Sequence, residues 1–584
     1  MEQRNLVIAI AISIVILIGF QYFGERFWPT LTPTQQTKTA PATANAPAVA
    51  AAPGAPSASS KAKIMSRVQA LAQAPRVAID TPRLKGSINL LGGRIDDLTL
   101  LTYHETVDPK SPEVVLLAPD ASEHPYFVQS GWAASSPDVK VPGPDARWTA
   151  SGGALTPNHP IELTWDNGAG LKFTQHIAVD ENYMFTVTES VVNSGKTPVT
   201  LYPYARVQRT GSVPASSTYS HAGPIAVLNG VLYDGGVCLF GHILCDKYNY
   251  NDVKKAPVTG ASAGGWLGFT DLYWLTVLIP PQHSAIKTQF TYTNADSIDS
   301  YQADYLGSGQ AIKPDGSVAY TSHIFAGAKV VALLDRYERI LEVPEFDHAI
   351  DFGLFYFITK PIFLALDFFN EWLGNFGLAI LLLTLLIKLV FFPLANKSYR
   401  AMSKMKKLQP EMQKLREKYG DDKQKVNQET MALYKRVGAN PMAGCLPIII
   451  QIPVFWSLYK VLYVTIEMRH APFYGWIHDL SSPDPTTFVN LFGLLPFTPP
   501  HIAALHAFLH IGAWPLIMGL TMFLQQKLNP QPPDPVQAKM FMILPVVFTF
   551  MLAQFPAGLV IYWSWNNCLS IAQQWAIMRR SGAA

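Results

Sequence analysis

The sequence predicts a multidomain, polytopic α-helical membrane protein that carries a large antiparallel β-sandwich outside the membrane. Three observations predict it. Of 584 residues, 49% are hydrophobic and only 15% are charged, against roughly 25% charged in a typical soluble chain. Apolar runs of membrane-spanning length occur at the start of the chain and again in its last third. Between them, apolar and polar residues alternate with a period of two, punctuated by Gly, Pro, Asn and Asp. A formal net charge of +3 and a mean hydropathy of +0.14 argue against a globally basic nucleic-acid binder and against a disordered chain. No direct DNA binding is expected. Four cysteines are too few for a disulfide scaffold.

Residues 1–28 read as an N-terminal anchor. Residues 6–23 are apolar except for Ser13 and Gln21, and at about 1.5 Å per residue they just cross a bilayer core. The run ends in Gly24, Glu25 and Arg26 without a small-residue cleavage site, so the anchor is expected to stay. Tyr22 and Trp28 suit its far interface. Residues 29–60 are almost all Ala, Pro, Thr, Ser, Gln and Gly. Such a segment has too little to bury to offset its ordering entropy and reads as a linker.

Residues 61–345 read as the sandwich. Runs 172–179 and 183–188 alternate cleanly; 284–294 and 318–326 do so more loosely. Residues 346–584 read as a helical core. A partly amphipathic helix at 355–373 carries Lys360, Asp367 and Glu371. Spans follow at 376–395, 446–468, 511–526, 540–554 and 559–577, which with 6–23 makes six. The fifth contains Pro545, and Pro556, Ala557 and Gly558 make a tight turn before the sixth.

Loop charge sets the orientation. Residues 396–440 carry twelve Lys/Arg against five Asp/Glu, whereas 470–510 carry no Lys or Arg, only Asp479 and Asp484. The positive-inside rule puts the basic loop and both termini in the cytoplasm and the sandwich outside. The basic loop has its own order. Met402, Met405, Met412, Leu415 and Tyr419 fall at helical spacing, as do Val426, Thr430, Leu433 and Val437, with Gly420, Asp421 and Asp422 between. This predicts a helical hairpin with one apolar seam, its first helix kinked or restarted at Pro410. Lys404, Lys406, Lys407, Lys414, Arg416 and Lys418 cover its exterior. That charge is what any positive-inside loop shows; it also suits docking to an RNA-rich or acidic partner or to anionic lipid.

Lys388 is the most informative residue. It lies inside the second span, where a Lys costs roughly 2.5–3.5 kcal/mol at the bilayer centre. One reading is snorkelling to the inner headgroups; the other is a wet cavity within the bundle. Thr384, one turn away, favours the cavity. Tyr562, Asn566, Ser570 and Gln573 make a polar stripe on the sixth span, Thr521 and Gln525 pair on the fourth, and Gln451 sits near the cytoplasmic end of the third. Each alone suits interhelical hydrogen bonding; together with a buried cation they predict a groove. Lys460 stands nine residues from Gln451, on the opposite face at about 100° per residue, and is expected to snorkel outward near Glu467. His506 and His510 lack a third ligand, so no metal is expected, and no nucleotide or other cofactor motif is present. Cys238 and Cys245 lie in the oxidising compartment, where spacing leaves their pairing open. Cys445 and Cys568 read as buried thiols.

Residues 440–455 (NPMAGCLPIIIQIPVF) resemble the hallmark of the YidC/Oxa/Alb insertases. So do Gln409-Pro410-Glu411, Gly420-Asp421-Asp422-Lys423-Gln424, Trp476-Ile477-His478-Asp479-Leu480 and Phe555-Pro556-Ala557-Gly558-Leu559, in order over the last third. The anchor and sandwich resemble the Gram-negative bacterial type by architecture. The resemblance implies a supersandwich fold for the β-domain and a hydrophilic groove open to cytoplasm and lipid. It implies an insertase and chaperone of the bacterial inner membrane, not an enzyme. Its implied partners are nascent membrane proteins, the Sec translocon, the ribosome and signal recognition particle pathway, and membrane lipids. The family's groove cation aligns with Lys388, which in many bacterial relatives is Arg; Lys keeps the charge but loses the bidentate fork. Two other classes compete. A secondary transporter would show inverted repeats and an intramembrane carboxylate, and neither is visible in the sequence. A tethered carbohydrate-modifying protein would need paired carboxylates in a cleft of the sandwich.

Overall fold

Period-two alternation becomes strand in the computed structural model, which describes residues 65–211, 220–234, 249–295, 297–420, 422–438, 446–495, 510–529 and 535–580. The expected anchor and linker, Cys238, Cys245, Cys445 and His506 lie outside the described residues. Along the strand Leu171–Val179, every second side chain is buried. Met184–Asn193, Ala285–Ala295 and Gly316–Ala328 are strands too. The strands build a ten-stranded and a nine-stranded sheet with antiparallel neighbours. Val128, Val207 and Ala303 stand side by side across three strands of the first sheet, all buried. Phe173 faces Val191 across the second. These rows meet in the core and make a β-sandwich.

One polar group crosses that core. Gln175 Nε2, on the nine-stranded sheet, donates to Ser130 O on the other sheet (3.1 Å) and to Glu189 Oε1 (3.3 Å). Glu189 Oε2 accepts from no described residue. Burial pushes the Glu189 carboxyl up to about 8, so it is largely protonated at neutral pH.

After the sandwich come α1 (Val331–Leu341) and α2 (Tyr356–Leu373). The apolar runs then become α3 (Phe376–Val390), α6 (Leu446–Val464), α7 (Ala513–Leu528), α8 (Pro535–Leu552) and α9 (Ala557–Arg580). Between α3 and α6 lie α4 (Phe392–Tyr419) and α5 (Lys423–Val437). Among the described residues no single helix is long and apolar enough to cross a membrane, but α3 and α4 pass together, bent by 68°. The bend falls inside the span expected at 376–395. Pro393, in the first turn of α4, has no N–H with which to continue the α3 ladder.

The hairpin forms as expected, with Leu408, Met412 and Leu433 buried in its seam and Met405 and Leu415 against them. Two details differ. Met402 packs on Tyr399 and Ile577 instead, and α4 runs through Pro410 without restarting. Long helices absorb a single Pro by bending when packing holds both sides. Asp422 caps α5 by accepting from Lys425 N (3.0 Å).

Sandwich and helices share one contiguous apolar cluster, joined by polar clasps. Glu467 Oε1 accepts from Val331 N (2.9 Å) and so caps α1, whose own N-cap residue Val330 offers no side-chain bond. Lys460 Nζ donates to Asp351 Oδ2 (2.8 Å). Lys460 is therefore buried and paired with Asp351 and does not snorkel beside Glu467. Gly353 makes this possible: its φ is +75°, and a Cβ there would lie 2.8 Å from Lys460 Cε. Cys568 is exposed, not buried as expected, because its helix turns Asn567 rather than Cys568 toward α7.

Candidate functional site

Asn375 starts α3 by accepting from Leu378 N (3.1 Å), and an apolar run carries the helix to Val390. Lys388 thus sits in the last turn, just before the bend. Its Nζ donates to Ser570 Oγ at 2.7 Å, and Ser570 Oγ donates to Asn566 O at 2.8 Å. An ammonium has three donors; the other two find no partner among the described residues. Gln573 Nε2 donates to Lys388 O (3.4 Å), and Trp565 Nε1 to Leu381 O (3.1 Å). The α9 stripe therefore lies directly on α3.

The same stripe reaches α6. Gln451 Nε2 donates to Tyr562 Oη, and Tyr562 is buried. Lys388, Gln451, Tyr562, Asn566, Ser570 and Gln573 thus line one continuous polar seam. Beyond Tyr562 the packing turns apolar, with Phe455 against Trp563 at 4.7 Å between ring centres. The seam carries more acceptors than partners. Asn566 Oδ1 and Gln573 Oε1 are buried and accept from no described residue. Buried polar atoms in native proteins are otherwise nearly always bonded, so these two oxygens leave room for further donors in the seam.

Other expected residues are satisfied elsewhere. Thr384 is buried one turn before Lys388, but its Oγ1 donates to Ile380 O (2.6 Å). Thr521 Oγ1 donates to Met518 O and accepts from Asn567 Nδ2 (3.2 Å). Gln574 Nε2 donates to Asn529 Oδ1 (3.1 Å). Asn567 and Gln574 form a second polar face of α9, which the sequence reading missed; their seven-residue spacing was the available signal. No hydrogen bond ties Thr521 or Gln525 to the Lys388 seam among the described residues. On the hairpin, Lys404, Lys407, Lys414 and Lys418 are exposed, while Lys406 and Arg416 are half-buried. Apolar side chains crowd the outside of the bundle: Leu389, Val390, Ile452, Met542, Ile543 and Val546 are all exposed. Such a surface belongs in lipid.

Comparison with known proteins bears on this arrangement. A family model described as the YidC periplasmic domain matches residues 76–365, and one described as the 60Kd inner membrane protein matches 368–583. The membrane protein insertase YidC of Granulibacter bethesdensis is 50% identical over 100% of this chain and 98% of its own length. That of a Methylobacterium species is 49% identical over 100% of this chain and 96% of its own. The crystal structure of an active YidC insertase with its first transmembrane domain resolved aligns at 17% identity, over 85% of this chain and 91% of that one, with a TM-score of 0.36. On the full-length identity and the two family models, the chain belongs to the YidC family of membrane protein insertases.

Proposed function

We propose that this protein inserts nascent membrane proteins into the bacterial inner membrane, and helps them fold, through the groove around Lys388. The observation that carries the reading is the ammonium with two donors that find no partner among the described residues, beside buried acceptors equally without one. No nucleotide motif is present in the sequence, so partitioning supplies the driving force. Each Leu, Ile, Phe or Val of a substrate span contributes about −0.3 to −0.6 kcal/mol at the span centre. The obstacle is the polar, often acidic, tail. A hydrated seam gives that tail a path partway across. A carboxylate about 4 Å from Lys388 gains roughly 4 kcal/mol at an effective dielectric near 20, before desolvation. That holds a tail transiently without trapping it.

The topology that goes with this reading has six spans: 6–23, α3, α6, α7, α8 and α9. Both termini are cytoplasmic and the sandwich, of the supersandwich kind, is periplasmic. The domain division is an anchor at 1–28, a linker at 29–60, the sandwich at 61–345 and the core at 346–584. The charge asymmetry between 396–440 and 470–510 supports it. The α4–α5 hairpin receives the ribosome and signal recognition particle pathway through its exposed lysines. Some substrates pass to or from the Sec translocon, and lipid receives the substrate helix along α6 and α8. The experiment is insertion of a short single-span protein into liposomes that contain only this protein. Protease protection of the inserted tail well above empty liposomes supports an autonomous insertase. Protection equal to empty liposomes rejects it.

A further inference from the structure

A cleft of about 410 Å³ opens between the sandwich and the helical bundle. Glu105 and Tyr273 line it from the sandwich, and Tyr463, Arg469, Asp479 and Gln554 from the bundle. Tyr463 is in the last turn of α6, and Gln554 lies just past the end of α8. The cleft therefore sits where the apolar bundle stops and the sandwich begins. Under the topology proposed above, on which this inference rests, that level is the outer headgroup layer. Met551, one turn before Gln554, and Tyr474 and Trp476 in the loop after α6 are exposed. Exposed aromatics of this kind suit a membrane interface.

The cleft holds two opposite charges apart. Arg469 Nη2 donates to His104 O (2.7 Å) and Glu105 O (3.3 Å), and the guanidinium lies 5.7 Å from the ring centre of Tyr273 and 5.5 Å from that of Trp274. Its Nε and Nη1 donate to no described residue and are not sealed from solvent. Asp479 Oδ1 accepts from Ser481 N and Oγ, and Oδ2 accepts from Ser482 Oγ alone. Asp479 is near enough for its charge to act on Arg469, yet its bonds go to the serines. Burial and the Arg469 charge hold the His470 pKa down, so His470 adds no charge at neutral pH. With Glu105 at the rim, one cation meets two carboxylates, which disfavours a bare anion.

We propose that this cleft binds the headgroup of a zwitterionic phosphoethanolamine lipid from the outer leaflet. The Arg469 fork takes the phosphate through Nε and Nη1. The ammonium sits between Asp479 and the faces of Tyr273 and Tyr463, with Glu105 closing the rim. The acyl chains run down the exposed face of α8 past Met551. The lipid thereby bridges sandwich and bundle.

The test uses the full chain in mild detergent, offered equal amounts of phosphatidylethanolamine and phosphatidylglycerol, with retained lipid counted by native mass spectrometry. Phosphatidylethanolamine should be retained about tenfold over phosphatidylglycerol; Asp479→Asn, which removes the carboxylate facing the ammonium, should bring the ratio close to one, and Arg469→Gln, which removes the partner of the phosphate common to both, should lower retention of both lipids about tenfold. Soluble glycerophosphoethanolamine should compete at least about a hundredfold less well, because it lacks the chains. Equal retention of the two lipids by the unaltered protein overturns the proposal, as does equal competition by the soluble headgroup. If either core variant melts early, Glu105→Gln at the exposed rim decides. It should lower the ratio about threefold, and an unchanged ratio overturns the proposal. Insertion is assayed in parallel. Insertion without lipid preference rejects the cleft alone, whereas preference without insertion supports the cleft and counts against the function proposed above.

Discussion

Lys388→Ala is the most direct perturbation of the groove. It removes the ammonium that stands 2.7 Å from Ser570 Oγ and leaves the Gln451–Tyr562 contact in place. The full attraction for a carboxylate about 4 Å away is roughly 4 kcal/mol, and desolvation of the tail offsets part of it. If a third to two thirds survives, the loss is about 1.3–2.7 kcal/mol, or about ten- to a hundredfold in insertion rate. Lys388→Arg keeps the charge and should stay within about threefold of the original. Ser570→Ala removes the hydroxyl that accepts from the ammonium and donates to Asn566 O, but leaves the charge in the groove, and should cost less than Lys388→Ala. The assay is protease protection of an acidic tail in liposomes, at matched protein content and over a time course. The substrate's tail carboxylates are then changed to amides. That change should shrink the Lys388→Ala defect, because the ammonium then has no carboxylate to attract. Equal rates for Lys, Arg and Ala at this position would refute the charge argument, and so would a Lys388→Ala defect of the same size with the neutral tail.

Three further outcomes are expected. The Glu189 carboxyl is raised from 4.5 to about 8 in the fold, so the folded state holds its proton longer than the unfolded chain. Its contribution is complete below about pH 4.5 and is lost as pH rises through about 8, on the order of a few kcal/mol; the sandwich should melt lower at pH 8 than at pH 5, and Glu189→Gln should flatten that slope. Gly353→Ala puts a Cβ 2.8 Å from Lys460 Cε at a φ of +75°, at a cost of about 1–3 kcal/mol; thermal unfolding of the full chain should show it, and an unchanged midpoint would mean that the junction yields freely. Changing Lys404, Lys407, Lys414 and Lys418 to Glu should abolish salt-sensitive co-sedimentation with ribosomes while leaving the Met412–Leu433 seam and the melting profile intact; undiminished co-sedimentation would remove the hairpin from the docking role.

The parts of this structure legible in the sequence are those that a single element determines. Alternation places Leu171–Val179 because a half-buried strand needs period two, and the hairpin seam appears because Met412 and Leu433 lie on helical stripes. The α9 stripe is read the same way, and its meeting with Lys388 follows from the shortage of other partners for a buried cation. What depends on how two distant elements are rotated against each other is not legible. Lys460 and Asp351 are 109 residues apart, and neither stretch alone says that they touch. Asn567 belongs to a face of α9 that becomes polar glue only once α7 is packed there. The 68° bend after Val390 was hidden for a different reason: hydropathy runs smoothly across it, while one missing N–H at Pro393 decides the geometry.

The capping of α1 by Glu467 has a consequence for biosynthesis. The two partners are 136 residues apart in the chain. At about 5–20 residues per second, the sandwich and the start of α1 leave the ribosome roughly 7–27 seconds before their cap is made. During that interval the first turn of α1 has no side chain of its own to hold its N–H groups. The sandwich can fold early, but its seat on the helical bundle waits for α6 and the residues after it to arrive. Under the topology proposed above, completion of this protein therefore depends on the operation that its family performs on others: the placement of a later apolar helix across the same membrane.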